Sequence, residues 1–197
     1  MASNALVEWR TVRSVRIDRL MQAHVLVGGV GSGRRWATDE INHALVLRLT
    51  SEFQGFCRAL HDEAIVAIMD AVAMGDASLR DALRKVYTAA RRLDRGNAEP
   101  GGLGSDFSLF NMRLWEALQI RYPARTRDWS RELELLNEAR NALAHDDQAK
   151  LIKVRSAGWP ATLESVRRWR GALDGLAAAM DEVTRDHLAD MLKTMPW

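Results

Sequence analysis

The chain is predicted to be all-α, a helical bundle of five or six helices, and three observations predict it. Apolar residues recur at intervals of three and four along most of its length, the spacing of one face of a helix. Only 4 prolines interrupt 197 residues. No pair of alternating segments flanks a tight turn, so no strand pair is indicated.

Taken in order, residues 5–27 mix apolar and basic positions, end in Val25-Leu26-Val27, and are followed by the glycine-rich stretch Gly28 to Gly33. Residues 1–36 are therefore expected to be an N-terminal extension, helical in part, and 37–197 the bundle domain. Residues 39–74 carry Leu45, Leu49, Phe53, Phe56, Leu60 and Ala64 at helical spacing and read as one long helix or two in tandem. Gly75-Asp76 is a natural stop. Ser78-Leu79-Arg80-Asp81 resembles an N-cap, opening a helix to about Leu93. Gly96 to Ser105, with one Pro and four Gly, is predicted as a loop. Residues 107–122 form an amphipathic helix through Phe110, Leu114, Trp115 and Leu118, closed by Pro123. A helix from Asp128 to about Asp146 aligns Leu133, Leu136 and Leu143. Pro160 occupies a first-turn position for a last helix running to about residue 193.

Composition excludes several function classes. The 28 Lys and Arg against 26 Asp and Glu leave a charge of +2, too small to mark a nucleic-acid protein by itself. Arginines cluster at 34–35, 91–95, 121–131 and 167–170, and arginine suits bidentate phosphate contacts. The single cysteine, Cys57, rules out an intrachain disulfide and fits a reducing compartment. It lies in an apolar helical stretch with no histidine at a telling spacing, which reads as a small buried hydrophobe. No apolar run reaches a membrane span and no signal peptide is evident, so a cytoplasmic protein with no membrane role is expected. Gly28 and Gly33 have the glycine separation of a phosphate-binding loop. Arg34 and Arg35 stand where Lys and Ser or Thr would hold phosphate and magnesium, so a linker is the better reading. The histidines at 24, 43, 61, 145 and 187 show no zinc spacing, and neither metal nor cofactor is expected.

The informative segment is Arg140-Asn141-Ala142-Leu143-Ala144-His145. At about 100° per residue, Leu133, Leu136, Ala139 and Leu143 form an apolar stripe with Arg140 on its edge. Asn141 and His145 share the polar side with Glu134 and Glu138. A guanidinium beside an apolar seam needs a partner or a wet cleft. The residue types suit phosphodiester chemistry: histidine as general acid or base, arginine as charge stabiliser, asparagine to orient them. A ribose 2′-hydroxyl is a built-in nucleophile, so such cleavage of RNA needs no metal. The structural reading of the same residues is a basic helix C-terminus favoured by the helix dipole, with an ordinary polar-face asparagine.

The segment resembles the Arg-x4-6-His signature of the HEPN superfamily, in its Arg-Asn-x-x-x-His form, at Arg140, Asn141 and His145. Residues 47–68, around Glu52-Phe53-Gln54-Gly55-Phe56 and Leu60-His61-Asp62-Glu63, look like the first core helix of prokaryotic HEPN-like nucleases. The likeness covers roughly residues 40 to 185, with only the six-residue motif sharp. It implies a HEPN-like bundle that forms a homodimer around one composite, metal-independent endoribonuclease site acting on an RNA substrate. There His145 would be general acid/base, Arg140 the phosphate stabiliser and Asn141 the positioning group, with Glu52 and Asp62 as candidate supports. It also implies a possible role as toxin of a toxin–antitoxin or phage-defence system, with a cognate antitoxin protein as partner. The alternative is a catalytically inactive helical module that binds a protein partner or nucleotide, with Trp129, Trp159, Trp169 and Trp197 as candidate anchors. An RNA groove would be lined by Arg121, Arg125, Arg127 or Arg131.

Overall fold

The longest helix occupies the middle of the molecule because its sequence is apolar on more than one side. Leu45, Val46, Leu49, Phe53, Phe56, Cys57, Leu60, Ala64, Ile65 and Met69 are all buried, and a helix that is apolar around most of its circumference has to be enclosed. The computed structural model describes residues 1–28, 35–73 and 75–197, Arg35 by its backbone alone. The phosphate-loop-like stretch after Gly28 lies outside the described residues.

Every regular element among the described residues is helical. The order is α1 (Asn4–Glu8), a π-helical turn (Trp9–Arg13), α2 (Ser14–Gly28), α3 (Arg35–Val72), α4 (Ala77–Thr88), a 3-10 turn (Arg92–Asp94), α5 (Pro100–Ser108), α6 (Leu114–Arg121), α7 (Thr126–Ala144), α8 (Gln148–Ser156) and α9 (Leu163–Leu192). With α1 and α2 continuous through the π turn, the described residues form eight rods where five or six were expected. The central helix α3 packs against α2, α7 and α9, and α9 closes the bundle over α6 and α7.

Helix α1 is docked rather than dangling. Ser3 caps it by accepting from Leu6 N, and the Glu63 carboxylate of α3 accepts from the N–H groups of Asn4 (2.9 Å) and Ala5 (2.5 Å). A carboxylate at orphan N-terminal donors is favoured by both hydrogen bonding and the helix dipole. Trp9 is 1% exposed, wedged against Phe53 and Phe56, and its indole N–H donates to Asp174 of α9 at 2.9 Å. Full burial of a side chain of this size contributes about 1.5–3 kcal/mol. The adjacent Arg13 lies directly over Gly55, where any Cβ would overlap its guanidinium.

Four local expectations are corrected. Gly96 to Ser105 is not all loop: Pro100 stands in the first turn of α5, and Gly102, Leu103, Asp106 and Phe107 are buried on its inner face. The helix forms despite its glycines because it packs on the 3-10 turn and on α6, where the Trp115 indole donates to the Pro100 carbonyl at 2.8 Å. Residues 107–122 are not one helix: Asn111, at φ 57°, takes the left-handed conformation open to asparagine and splits α5 from α6. Pro160 precedes α9 instead of starting it, since Thr162 is the N-cap and accepts from Ser165 N at 3.3 Å. The N-cap of α4 is likewise Asp76, which accepts from Leu79 N at 3.0 Å, and not Ser78. No helix among the described residues is long and apolar enough to cross a membrane.

Candidate functional site

Helix α7 carries the motif, and its ends explain the local sequence. Leu133, Leu136, Ala139 and Ala142 are buried, while Arg140, Asn141 and Leu143 are half-buried at the last turn. The helix stops at His145. Asp146 adopts φ 51°, and Asp147 N–H returns to the Ala142 carbonyl at 2.8 Å, a left-handed C-terminal closure usually made with glycine. Asp147 then caps α8 by accepting from Lys150 N at 3.1 Å. The two acidic residues after the histidine thus close one helix and open the next. The helix α8 between 148 and 156 was not foreseen.

The three motif side chains differ in what holds them. Asn141 Oδ1 accepts from Arg140 Nη1 at 3.1 Å and from Asn97 Nδ2 at 2.8 Å. Arg140 has no ion-pair partner among the described residues, and the exposed His145 imidazole has no hydrogen-bond partner there. The carboxamide therefore orients the guanidinium, and the imidazole one turn further on is left for solvent or a ligand. Arg140 at a half-buried position agrees with its place on the edge of the apolar stripe.

Asn141 also borders a cleft of about 430 Å³ between α7 and the start of α5, lined further by Glu99, Pro100, Gly101, Ser130, Glu134, Asn137 and Glu138. Helical spacing correctly put Glu134 and Glu138 on the side of Asn141; His145 does not border the cleft. None of Arg121, Arg125, Arg127 and Arg131 borders it, and Arg121 is engaged by Glu182 at 2.6 Å. Lys150, Lys153 and Arg155 of α8 supply exposed cations after the motif, with Lys153 bound to Glu138 at 2.6 Å.

Asn97 was missed by the sequence reading, because a turn residue after Gly96 carries no signal of its own. It is fixed from α3. Gln54 Nε2 donates to the carbonyls of Leu93 (2.9 Å) and Gly96 (2.6 Å), and Arg58 donates to Leu93 (2.6 Å). Buried Asp106 accepts from the N–H groups of Arg92 (2.7 Å) and Leu93 (2.9 Å). His61, fully buried, faces the Asp106 carbonyl with Nε2 at 3.1 Å and Arg91 with Nδ1 at 3.4 Å. A carbonyl can only accept, so Nε2 carries the proton, and a guanidinium can only donate, so Nδ1 is left as the acceptor and the ring is neutral. Burial pushes the His61 imidazole below its ordinary value of 6.5, and the Arg91 charge adds to that, against the Asp106 carbonyl contact.

The candidate supports on α3 do not reach the motif. Glu52, 4% exposed, is held by Arg13 (3.2 Å), Arg16 (3.4 Å) and Arg48 (2.8 Å). Asp62 pairs with Arg91 at 2.5 Å. Trp129, Trp159 and Trp169 are core residues rather than surface anchors, and Trp197 is half-buried. No group of three or more His, Cys, Asp or Glu among the described residues could hold a metal ion. No family model, curated protein or solved structure matches the chain.

Proposed function

We propose that the protein is a metal-independent endoribonuclease of HEPN type, working as a homodimer. The observation that supports it is the pairing of an unspent cation with an unspent imidazole: Arg140, without a carboxylate partner and oriented through Asn141, and the exposed His145 one turn further on. A cation without a counter-charge at a half-buried position is unfavourable for stability, and a phosphate would complete it.

In this reading the ribose 2′-oxygen attacks phosphorus as a histidine takes its proton. The O2′–P bond forms, the P–O5′ bond breaks, and a protonated histidine returns a proton to the 5′-oxygen, leaving a 2′,3′-cyclic phosphate. Two histidines are needed at once, which two copies of α7 facing each other would provide. Arg140 stabilises the extra charge on the phosphoryl oxygens. The carboxylates beside Asn141 repel phosphate, so the RNA would approach along α8, where Lys150, Lys153 and Arg155 are exposed. Such binding should weaken steeply with salt. A toxin role with a cognate antitoxin belongs to the same reading.

The acidic cleft favours a second reading, a non-catalytic module that binds a cationic partner. The experiment that separates them is incubation of the protein with mixed RNA in EDTA beside the His145→Ala variant. Cleavage by wild type alone supports the nuclease. Cleavage retained by the variant, or absent from both across single-stranded and tRNA substrates, overturns it.

A further inference from the structure

Cations accumulate where α2 lies against α3, and all of them are arginine, since residues 1–84 contain no lysine. Glu52, buried in this seam, is shared by three guanidinium groups: Arg16 (3.4 Å) and Arg48 (2.8 Å) on Oε1, and Arg13 (3.2 Å) on Oε2. Arg13 also meets Glu8 at 3.0 Å. Arg19 adds a fourth guanidinium, exposed and without an ion-pair partner among the described residues, because the adjacent Asp18 pairs with Arg170 (3.3 Å). Four cations against two carboxylates leave two positive charges uncompensated. Arg16, Arg19 and Arg48 line a cleft of about 340 Å³ with Leu20 and Ala23, and no acidic residue borders it. Arg13 and Arg58 line a second cleft of about 410 Å³ over Ser51 and Gly55, where Asp62 is already paired with Arg91. Arg13 shares its carboxylate with Arg16 and Arg48, so the two clefts adjoin.

We infer that the α2–α3 seam is a track for the phosphodiester backbone of an RNA strand, held by Arg16, Arg19 and Arg48. The class of ligand rests on the nuclease reading; the position of the track does not. A guanidinium presents a planar fork that matches phosphate, and this surface offers that group alone. Arg48 and Arg58 are about 15 Å apart along α3, at roughly 1.5 Å per residue, a spread that suits a regularly charged polymer rather than one small ion. Glu52 holds two of the forks in place before a strand arrives, which lowers the cost of ordering them. Apart from Leu20, neither cleft is lined by a large apolar side chain that could enter a lipid surface. The seam also leads to the motif. Arg58 and Gln54 hold the carbonyls of Leu93 and Gly96, and Asn97 next in sequence reaches Asn141 beside Arg140. A strand that enters along α8 and crosses the motif would leave over Arg58 toward Arg48. Backbone contacts of this kind position a strand without reading its sequence.

The test is binding of a fluorescent 2′-O-methyl oligoribonucleotide to the full chain, followed by anisotropy across a salt series. Its blocked 2′-oxygen prevents the proposed cleavage, so binding is read apart from chemistry. In Arg16→Gln/Arg19→Gln, Glu52 keeps Arg13 and Arg48, and the fold should be retained. This variant should bind about tenfold more weakly at low salt, with a salt slope shallower by about 1.4, the share of two phosphate contacts on a single strand. If it melts below wild type, Arg19→Glu alone carries the test, because that side chain pairs with nothing in the fold. Arg84→Gln/Arg113→Gln removes two exposed cations on α4 and before α6, and should bind as wild type. No binding by wild type, an unchanged slope in the seam variant, or an equal loss in the control would overturn the track. Phosphatidylserine vesicles form the last arm: vesicle binding lost in the seam variant, with oligonucleotide binding intact, would overturn it in favour of a lipid surface. Failure of the nuclease reading is seen separately, as cleavage retained by His145→Ala, and leaves each of these binding outcomes unaltered.

Discussion

Two polar regions of this molecule are built from similar side chains and treated in opposite ways. Where α3 meets the 89–99 connection, His61, Arg91, Asp62, Asp94 and Asp106 are each hydrogen-bonded or ion-paired. At the end of α7, Arg140 and His145 have no carboxylate partner among the described residues; Asn141 holds Arg140, and the His145 imidazole is held by nothing there. Burial with every partner in place fixes a loop in one position and leaves nothing over for a ligand. Incomplete pairing at a half-exposed helix end does little for stability and leaves chemistry available. The two regions are joined where Asn97 donates to Asn141 and, one turn back on α7, Asn137 donates to the Ala98 carbonyl, so the satisfied region positions the unsatisfied one.

The comparison is sharpest at the two histidines. Under the proposed nuclease function, His145→Ala should lower RNA cleavage by about 10²–10⁴-fold, the usual worth of a general acid or base, with no change in the urea midpoint. A variant that unfolds more easily would place His145 among the structural residues instead. Asp106→Ala should show the reverse. It removes a buried carboxylate from two backbone donors, and charge-assisted bonds contribute about 1.5–3 kcal/mol each, so a loss of about 3 kcal/mol in denaturant unfolding is expected. A loss under half of that would mean that water replaces the carboxylate.

The next effect is a pH dependence. The folded state holds His61 neutral below its ordinary 6.5 while the unfolded chain protonates there, so the unfolded state binds the extra proton. Stability should therefore be unaffected above 6.5 and fall as pH drops below it, by at most about 1.4 kcal/mol per pH unit. Asp94 and Glu182, whose pKa values are lowered from 3.8 and 4.5, lose their contributions only at more acidic pH. Burial pushes the Glu63 and Glu132 carboxyls up from 4.5 toward the same window, where they act with the opposite sign, so the comparison of wild type with His61→Gln isolates the histidine, and the variant should lack its downward slope. The smallest effect is at the joint: Asn97→Ala removes one neutral hydrogen bond, about 1 kcal/mol or less. It should reduce cleavage more than it reduces stability, and equal losses would argue against a positioning role.

Much of this was legible from residue spacing. The stripe from Leu45 to Ala64 identified the buried side of α3, and Leu133, Leu136 and Ala139 identified that of α7. Arg140, at the edge of that stripe, is half-buried as spacing required. The failures have one physical origin. Gly101, Gly102 and Gly104 lower helix propensity, yet α5 forms because its inner face packs against the 3-10 turn and Trp115, a gain that no local window contains. Asn97 and Asn137 act through partners about 40 positions away, at Asn141 and Ala98, and their neighbours in sequence look like any turn or helix face.

Gly55 sets how the first helix is threaded onto the third. In the interior of a 38-residue helix, glycine costs about 1 kcal/mol relative to alanine, but here it leaves a notch that only the Arg13 guanidinium fills. One turn along α3 in either direction, Ser51 and Ala59 present a Cβ instead. In the observed alignment the arginine lies over that notch and pairs with Glu52 at 3.2 Å. The missing methyl group acts as an index mark, the place on α3 where the Arg13 guanidinium comes to rest.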